Sequence, residues 1–448
     1  MKGLVPTTRR MRIAVALPSL GAGALERRSI DAMLAHLAEA GHDLEGFAEH
    51  DRSDETAAFP VYHYLRMPER HTAAPFDTAL YPLGRDATPY QSVFALMKLF
   101  PGAVWFLDPI VHHLAVGGIA LMDDWAAYRE LLDQAYGASG SAVAQTVATN
   151  WGTGALFRRY DLIAATAAEQ PAVFAAWPAL AARISSRLPA RSVSVVPLGM
   201  PRAPDAAAVA TEGSESGNRI AIMSVNDSYA TTAVRAAAAA LEVDTVARVR
   251  ICLSEPIYKA EGIKVARHMG IDEAVEWELT TSPDDLAAVA ADSEVLLWLA
   301  EELQGGHRLL MLQEMAAGKV TFVPECSLYA DLLAGAVVKL ALGKTLGPTF
   351  SAILREVLED AALRDGLADN ARAFAAECPG TEEAAQVLAA ELEKLAAAGG
   401  FEKAPVSAPA WNAVARRMNE AAIPGGASTE VESLVAGVLG AHTEPFRK

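Results

Sequence analysis

Cysteine is scarce in this sequence: Cys252, Cys326 and Cys378 are its only three, in 448 residues. Widely separated and without metal-ligand spacing, they exclude a disulfide framework and a zinc-finger site, and they suit the reduced thiols of a cytoplasmic protein. Positive charge is in short supply too. Lys and Arg number 38 against 55 Asp and Glu, a net charge of −17, which excludes the basic footprint that a nucleic-acid partner needs. Uninterrupted apolar runs are missing as well. The most apolar window, Val104 to Met122, carries Asp108, His112 and His113, each costly in lipid, so no membrane span is expected. Nor does an apolar stretch follow the basic residues of Met1 to Arg12, so no signal peptide is expected.

What is present is apolar surface for two cores. Hydrophobic residues make up 52% of the chain, much of it alanine. Alanine favours helices, and this length suits two domains of roughly 150–200 residues each. Arg12 to Pro18 is a short apolar run of the kind buried on both faces of a parallel sheet. A turn, Ser19 to Gly23, follows it. A helix with apolar positions Ile30, Met33, Leu34 and Leu37 comes next and stops at Gly41, and His42 to Phe47 begins the next strand. The spacing predicts a helix at Tyr90–Phe100, a strand at Ala103–Asp108 and another helix from Pro109. Further strands are expected at Leu162–Ala164 and Val193–Gly199.

Asp205 to Asn218, rich in Ala, Ser, Gly and Glu, reads as a linker. The pattern then restarts. Strands are expected at Arg219–Met223, Val249–Leu253, Val275–Trp277, Glu294–Leu299 and Val320–Val323, with helices at Thr232–Leu241, Pro283–Ala291 and Leu309–Ala317 between them. Phe350 to Leu395 reads as helical almost throughout, and a short helix is expected near Trp411–Ala421. The fold class is therefore α/β, with two Rossmann-like domains. The expected division is 11–204, 218–380 and a helical C-terminal extension, 381–448, packing back on the body.

Particular residues narrow this further. Pro101 to Leu114 resembles a segment of the retaining family 4 glycosyltransferases of bacteria (glycosyl transferases group 1). Leu162 to Gly199, ending Val-Val-Pro-Leu-Gly, is similar to that family's exit from its first domain. Ser282 to Leu297 leads into Gly305 to Lys319, the most specific match, and Ala361 to Arg372 is similar to the closing helices. The resemblance implies a GT-B arrangement with a cleft between the domains. It also implies metal-independent, cofactor-free transfer of a sugar, with retention, from a nucleotide diphosphate donor to a glycan, lipid-linked or protein acceptor. Polysaccharide or glycoconjugate synthesis in the cytoplasm, with peripheral contact at the inner membrane face, would be the setting.

Several residues become candidates on that basis. Glu314 matches the second of the family's paired glutamates and would hold the ribose, since a carboxylate accepts two hydrogen bonds from a vicinal diol; a solvated surface glutamate is the alternative. Gly305 and Gly306 would let the donor diphosphate approach the start of a helix, with its free N–H groups and positive dipole end. His307 and Arg308 open the same helix. Gly21, Gly23 and Glu26 resemble the acceptor loop, or else form a plain strand–helix turn. Asp108 and His112, the candidate catalytic residues, would line the cleft near the acceptor, or else serve the fold.

Three positions depart from the family. Gly306 stands where the first paired glutamate belongs, and Leu107 where a histidine is common. Ser224 to Thr232 contains no Arg or Lys to neutralise the diphosphate. A replacement cation is therefore sought first in Arg308, then in Lys259 or Lys264. The same departures support the rival reading, a catalytically degenerate relative that binds or partners an active subunit. A sugar-nucleotide epimerase lacks an obvious carboxylate and histidine set here. Arg183, Arg187 and Arg191 recur every four residues, as a solvated face or as a docking face for an anionic acceptor or membrane.

Overall fold

The computed structural model describes residues 9–20, 24–49, 58–122, 125–149, 154–168, 170–201, 218–225, 230–253, 256–280, 283–299, 305–343 and 345–399. Gly21 and Gly23, nearly all of the expected linker and the expected helix at Trp411–Ala421 lie outside these residues. The described chain separates into two compact units. One takes residues 9–20, 31–197 and 384–399; the other takes 24–30 and 198–383. The expected boundaries follow the chain, whereas residues 24–30 and 384–399 group in space with the sequence-distant half.

The first unit is built on β1 (Arg12–Ala16), β2 (Asp43–Ala48), β3 (Val61–His63), β4 (Thr78–Leu83), β5 (Ala103–Phe106), β6 (Ala172–Ala175) and β7 (Ser194–Val195). Its sheet order is β3-β2-β1-β4-β5-β6-β7, parallel throughout. The strands are short, and the inner ones are almost wholly buried, β4 and β5 at every position. Helices cover such a sheet on both faces, which is why its strands read as unbroken apolar runs. The helix Leu25–Glu39 ends two residues before Gly41, whose φ of 95° is left-handed and cheap only for glycine.

The second unit is built on β8 (Arg219–Val225), β9 (Arg248–Leu253), β10 (Val275–Leu279), β11 (Val295–Trp298), β12 (Val320–Pro324) and β13 (Val338–Leu340). They pair in parallel as β10-β9-β8-β11-β12-β13, the dinucleotide-binding strand order. Ile220, Ile222, Ile251, Leu297 and Phe322 fill one face against Ala233, Ala237 and Ala240 of the helix Ala230–Val243 and Phe350 of the helix Leu346–Glu359. Alanine on the first helix lets it lie close to the sheet. The long helical stretch that follows is three helices, Leu346–Glu359, Ala361–Glu377 and Thr381–Ala397. Asp360 separates the first two, its carboxylate accepting from the Ala362 and Leu363 amides as an N-cap.

One expected strand is absent. Leu162–Ala164 opens the helix Ile163–Ala167, and β6 lies ten residues further on. Leu162 has a left-handed φ of 61°, and its amide donates to the Tyr136 hydroxyl at 2.8 Å. A three-residue apolar run cannot distinguish strand from buried helix. Packing decided it.

Candidate functional site

In a sheet of the second unit's order, ligands bind beyond the carboxyl ends of the strands at the point where the order reverses. That point falls between β8 and β11. Beyond β11 the described chain resumes in the helix Gly305–Ala316, whose Leu309, Leu310, Met311 and Met315 are buried. The first amides of a helix have no partner within it. Here the Gly306 N–H donates to Glu26 Oε1 at 2.7 Å. Glu26 stands in the first turn of the helix Leu25–Glu39, in the part that belongs to this same unit.

The glycine at 306 leaves room for this approach. A Cβ there would stand 3.2 Å from both Cγ and Cδ of Glu26, tighter than ordinary contact. A carboxylate at a helix start is worth about 0.3–1 kcal/mol where exposed and up to ~2 kcal/mol where partly buried. His307, half-buried in the same turn, has its ring 6.0 Å from that of Trp298 at the end of β11. The Trp298 indole N–H is buried and has no hydrogen-bond partner among the described residues.

Arg308 and Glu314, on the same helix, are engaged elsewhere. Arg308 forms a two-pronged pair with Asp331, Nη2 to Oδ2 at 2.7 Å and Nη1 to Oδ1 at 3.4 Å, and its side chain is 8% exposed. Glu314 Oε2 lies 2.7 Å from Lys319 Nζ, which also donates to the carbonyls of Ala290 and Ala291. At ~1.5 Å of rise per residue, Glu314 sits about 13 Å along the axis from Gly305, towards the far end of the helix. Lys259 Nζ reaches the Trp277 carbonyl at 3.4 Å, and Lys264 is exposed.

The first unit holds the other candidates. Asp108, just beyond β5, is 3% exposed, and its Oδ2 accepts from the Arg85 amide at 2.8 Å. It thereby pins the loop that follows β4. His112 opens the helix His112–Met122 and is completely buried. Its Nδ1 pairs with the Tyr160 carbonyl, and its Nε2 lies 2.5 Å from the Tyr128 hydroxyl. A carbonyl can only accept, so we assign the proton to Nδ1; Nε2 then accepts from Tyr128. The Phe157 ring packs 4.5 Å away. Burial lowers the His112 pKa to about 4, against the opposing pull of the Tyr160 carbonyl, so the ring is uncharged at neutral pH.

The arginines read as a possible docking face are also spoken for. Arg183 and Arg187 both reach the buried Asp161, at 3.6 Å and 3.0 Å, and Arg191 donates to the carbonyls of Ala167 and Gln170. Burial raises the Asp161 pKa, with the two arginines opposing it. Of the residues singled out in the sequence, then, the structure brings together Glu26, Gly305, Gly306 and His307. Of the partners that engage the rest, Lys319 closes the matched segment, whereas Asp331, Tyr128 and Tyr160 carry no local sequence signal. No helix among the described residues is long and apolar enough to cross a membrane.

No protein-family model matches the sequence, and no curated protein matches it. Solved structures do. WaaG, a glycosyltransferase involved in lipopolysaccharide biosynthesis, is similar with a TM-score of 0.54 at 15% identity, over 85% of this chain and 99% of that one. Anabaena HepE in complex with UDP and glucose gives 0.55 at 13%, over 86% of this chain and all (100%) of HepE. The sucrose-phosphate synthase of Thermosynechococcus elongatus gives 0.55 at 12%, over 87% of this chain and 100% of that one. At such identities the likeness establishes the fold: the chain has the two-domain GT-B fold of glycosyltransferases.

Proposed function

We propose that this GT-B chain transfers a sugar from a nucleoside diphosphate donor to a glycan, lipid-linked or protein acceptor, with retention and without a metal, as the family 4 resemblance implies. The observation that carries this reading is the start of the helix Gly305–Ala316. It lies at the switch point of a dinucleotide-type sheet, and its Gly306 amide already binds an anionic oxygen. A donor phosphate offers the same kind of oxygen, and the helix dipole favours it. Departure of the diphosphate is the costly step, and donors fixed in advance against the developing charge are commonly the largest catalytic contribution. Gly305, Gly306 and His307 are the residues assigned to that task. A ribose contact by Glu314 requires its release from Lys319, and a phosphate contact by Arg308 its release from Asp331. The setting that goes with this reading is the cytoplasm, with any acceptor on a membrane met at its inner face.

One set of observations favours the second reading, a binding or partner protein without transferase activity: Arg308 and Lys259, two of the cations sought for the diphosphate, are engaged by protein oxygens. The test is a thermal-shift screen across nucleotide sugars, followed by a transfer and donor-hydrolysis assay with whichever donor binds. A ligand that binds only the folded chain raises its melting temperature. Binding with turnover supports the transferase. Binding without hydrolysis or transfer supports the second reading, and no shift with any nucleotide sugar sinks the transferase and leaves the partner-protein reading the better one.

A further inference from the structure

The geometry at Gly306 points to a role for Glu26 that the acceptor-loop resemblance does not contain. We propose that Glu26 is an internal anion: its carboxylate occupies the phosphate-receiving start of the helix Gly305–Ala316, and a phosphate-bearing donor must displace it. The inference rests on the reading of that helix start as the donor phosphate site. Donor binding is then a competition with the chain's own side chain.

Three features support it. First, Glu26 Oε1 accepts from the Gly306 amide at 2.7 Å, and carboxylate and phosphate oxygens make the same charge-assisted bond to a backbone N–H. The two cannot share one amide and would repel each other across it. Second, position 306 is glycine, and a Cβ there would meet Cγ and Cδ of Glu26 at 3.2 Å. The residue that opens the site to a ligand also opens it to Glu26. Third, at the end of the neighbouring strand β11 the indole N–H of Trp298 is buried and has no partner among the described residues. Its ring lies 6.0 Å from that of His307 in the same turn.

Displacement leaves Glu26 on a helix start of its own. There a negative charge opposes nothing, since an acid in a first turn suits that helix's dipole. The contact is therefore a closure that a stronger anion can open at modest cost.

The test is calorimetric titration of the full chain with two probes, UDP and inorganic pyrophosphate. Wild type is compared with Glu26→Gln, which keeps shape and removes charge, Glu26→Ala, and Gly306→Ala, which crowds the contact. Melting curves confirm that each variant is folded. Glu26→Ala should bind both probes more tightly by roughly 3–30-fold, the range expected for removing one competing charge at a helix end. Glu26→Gln should fall between it and wild type. Equal affinity in wild type and both Glu26 variants, or tighter binding by wild type, overturns the proposal; the latter makes Glu26 a ligand-binding residue instead. If UDP binds no variant while pyrophosphate binds Glu26→Ala more tightly than wild type, the internal anion stands and the nucleotide reading falls. If neither probe binds any variant, both fall.

Discussion

Two strand ends in this chain look alike in sequence and differ in structure. Beyond β5 come Asp108 and the histidine that opens the helix His112–Met122; beyond β11 come two glycines and the histidine of the helix Gly305–Ala316. At the first, every polar group is tied into the fold. His112 has a partner at each ring nitrogen and no exposed surface, and Asp108 holds a backbone amide. At the second, a backbone N–H is met by a side chain that reaches in from another helix. A buried histidine satisfied at both nitrogens is part of the core. A helix start met by one carboxylate is the arrangement that the proposed exchange requires.

The largest effect that could break this contrast is on stability. His112→Ala should destabilise the first unit by about 2–4 kcal/mol, because it leaves a cavity and strands the Tyr128 hydroxyl and Tyr160 carbonyl without a partner. Urea unfolding followed at the first unit's tryptophans would read it. A variant as stable as wild type would return His112 to the list of reactive groups.

Next in size is a pH effect of the same residue. The folded chain holds the His112 pKa near 4 by burial, against an ordinary value of 6.5. Below pH 6.5 the unfolded chain therefore binds a proton that the folded chain refuses. His112 costs no stability above about pH 6.5, and stability falls progressively as the pH drops towards 4. The loss between pH 7 and pH 5 should be on the order of 2 kcal/mol. Unfolding midpoints at the two pH values, set beside those of His112→Gln, isolate it: the variant's decline should be shallower by that amount.

Within the second unit, Glu314→Gln sharpens the comparison. It removes the charge facing Lys319, where the two side chains are 11% and 15% exposed, and should cost about 1 kcal/mol of stability while UDP affinity changes less than about twofold. A large affinity loss at unchanged stability would place Glu314 on the ribose after all. The smallest effect belongs to Lys259. Its long hydrogen bond to Trp277 predicts that Lys259→Ala changes stability by no more than about 0.5 kcal/mol and leaves UDP titration unaltered.

The sheets were legible because strands buried on both faces must be apolar at consecutive positions. Arg12–Pro18, Ala103–Asp108, Arg219–Met223, Val249–Leu253 and Val320–Val323 all show this, and each contains or overlaps an observed strand. The helix Pro283–Ala291 was read to the residue. Where the run was too short, at Leu162–Ala164, the reading failed. The helix Gly305–Ala316 begins a turn before its apolar pattern does, since Gly305 and Gly306 carry no hydrophobic signal.

By itself, then, the sequence determined the class of fold: parallel α/β units in two halves, from periodicity and punctuation that each segment carries locally. Which polar residues pair with which was decided only in three dimensions. Glu26 and Gly306 lie 280 positions apart, and His112 finds its acceptor at Tyr160 and Arg308 its carboxylate at Asp331. A buried polar group is fixed by the partner that satisfies it. That partner is chosen by packing between distant segments, which no local pattern encodes.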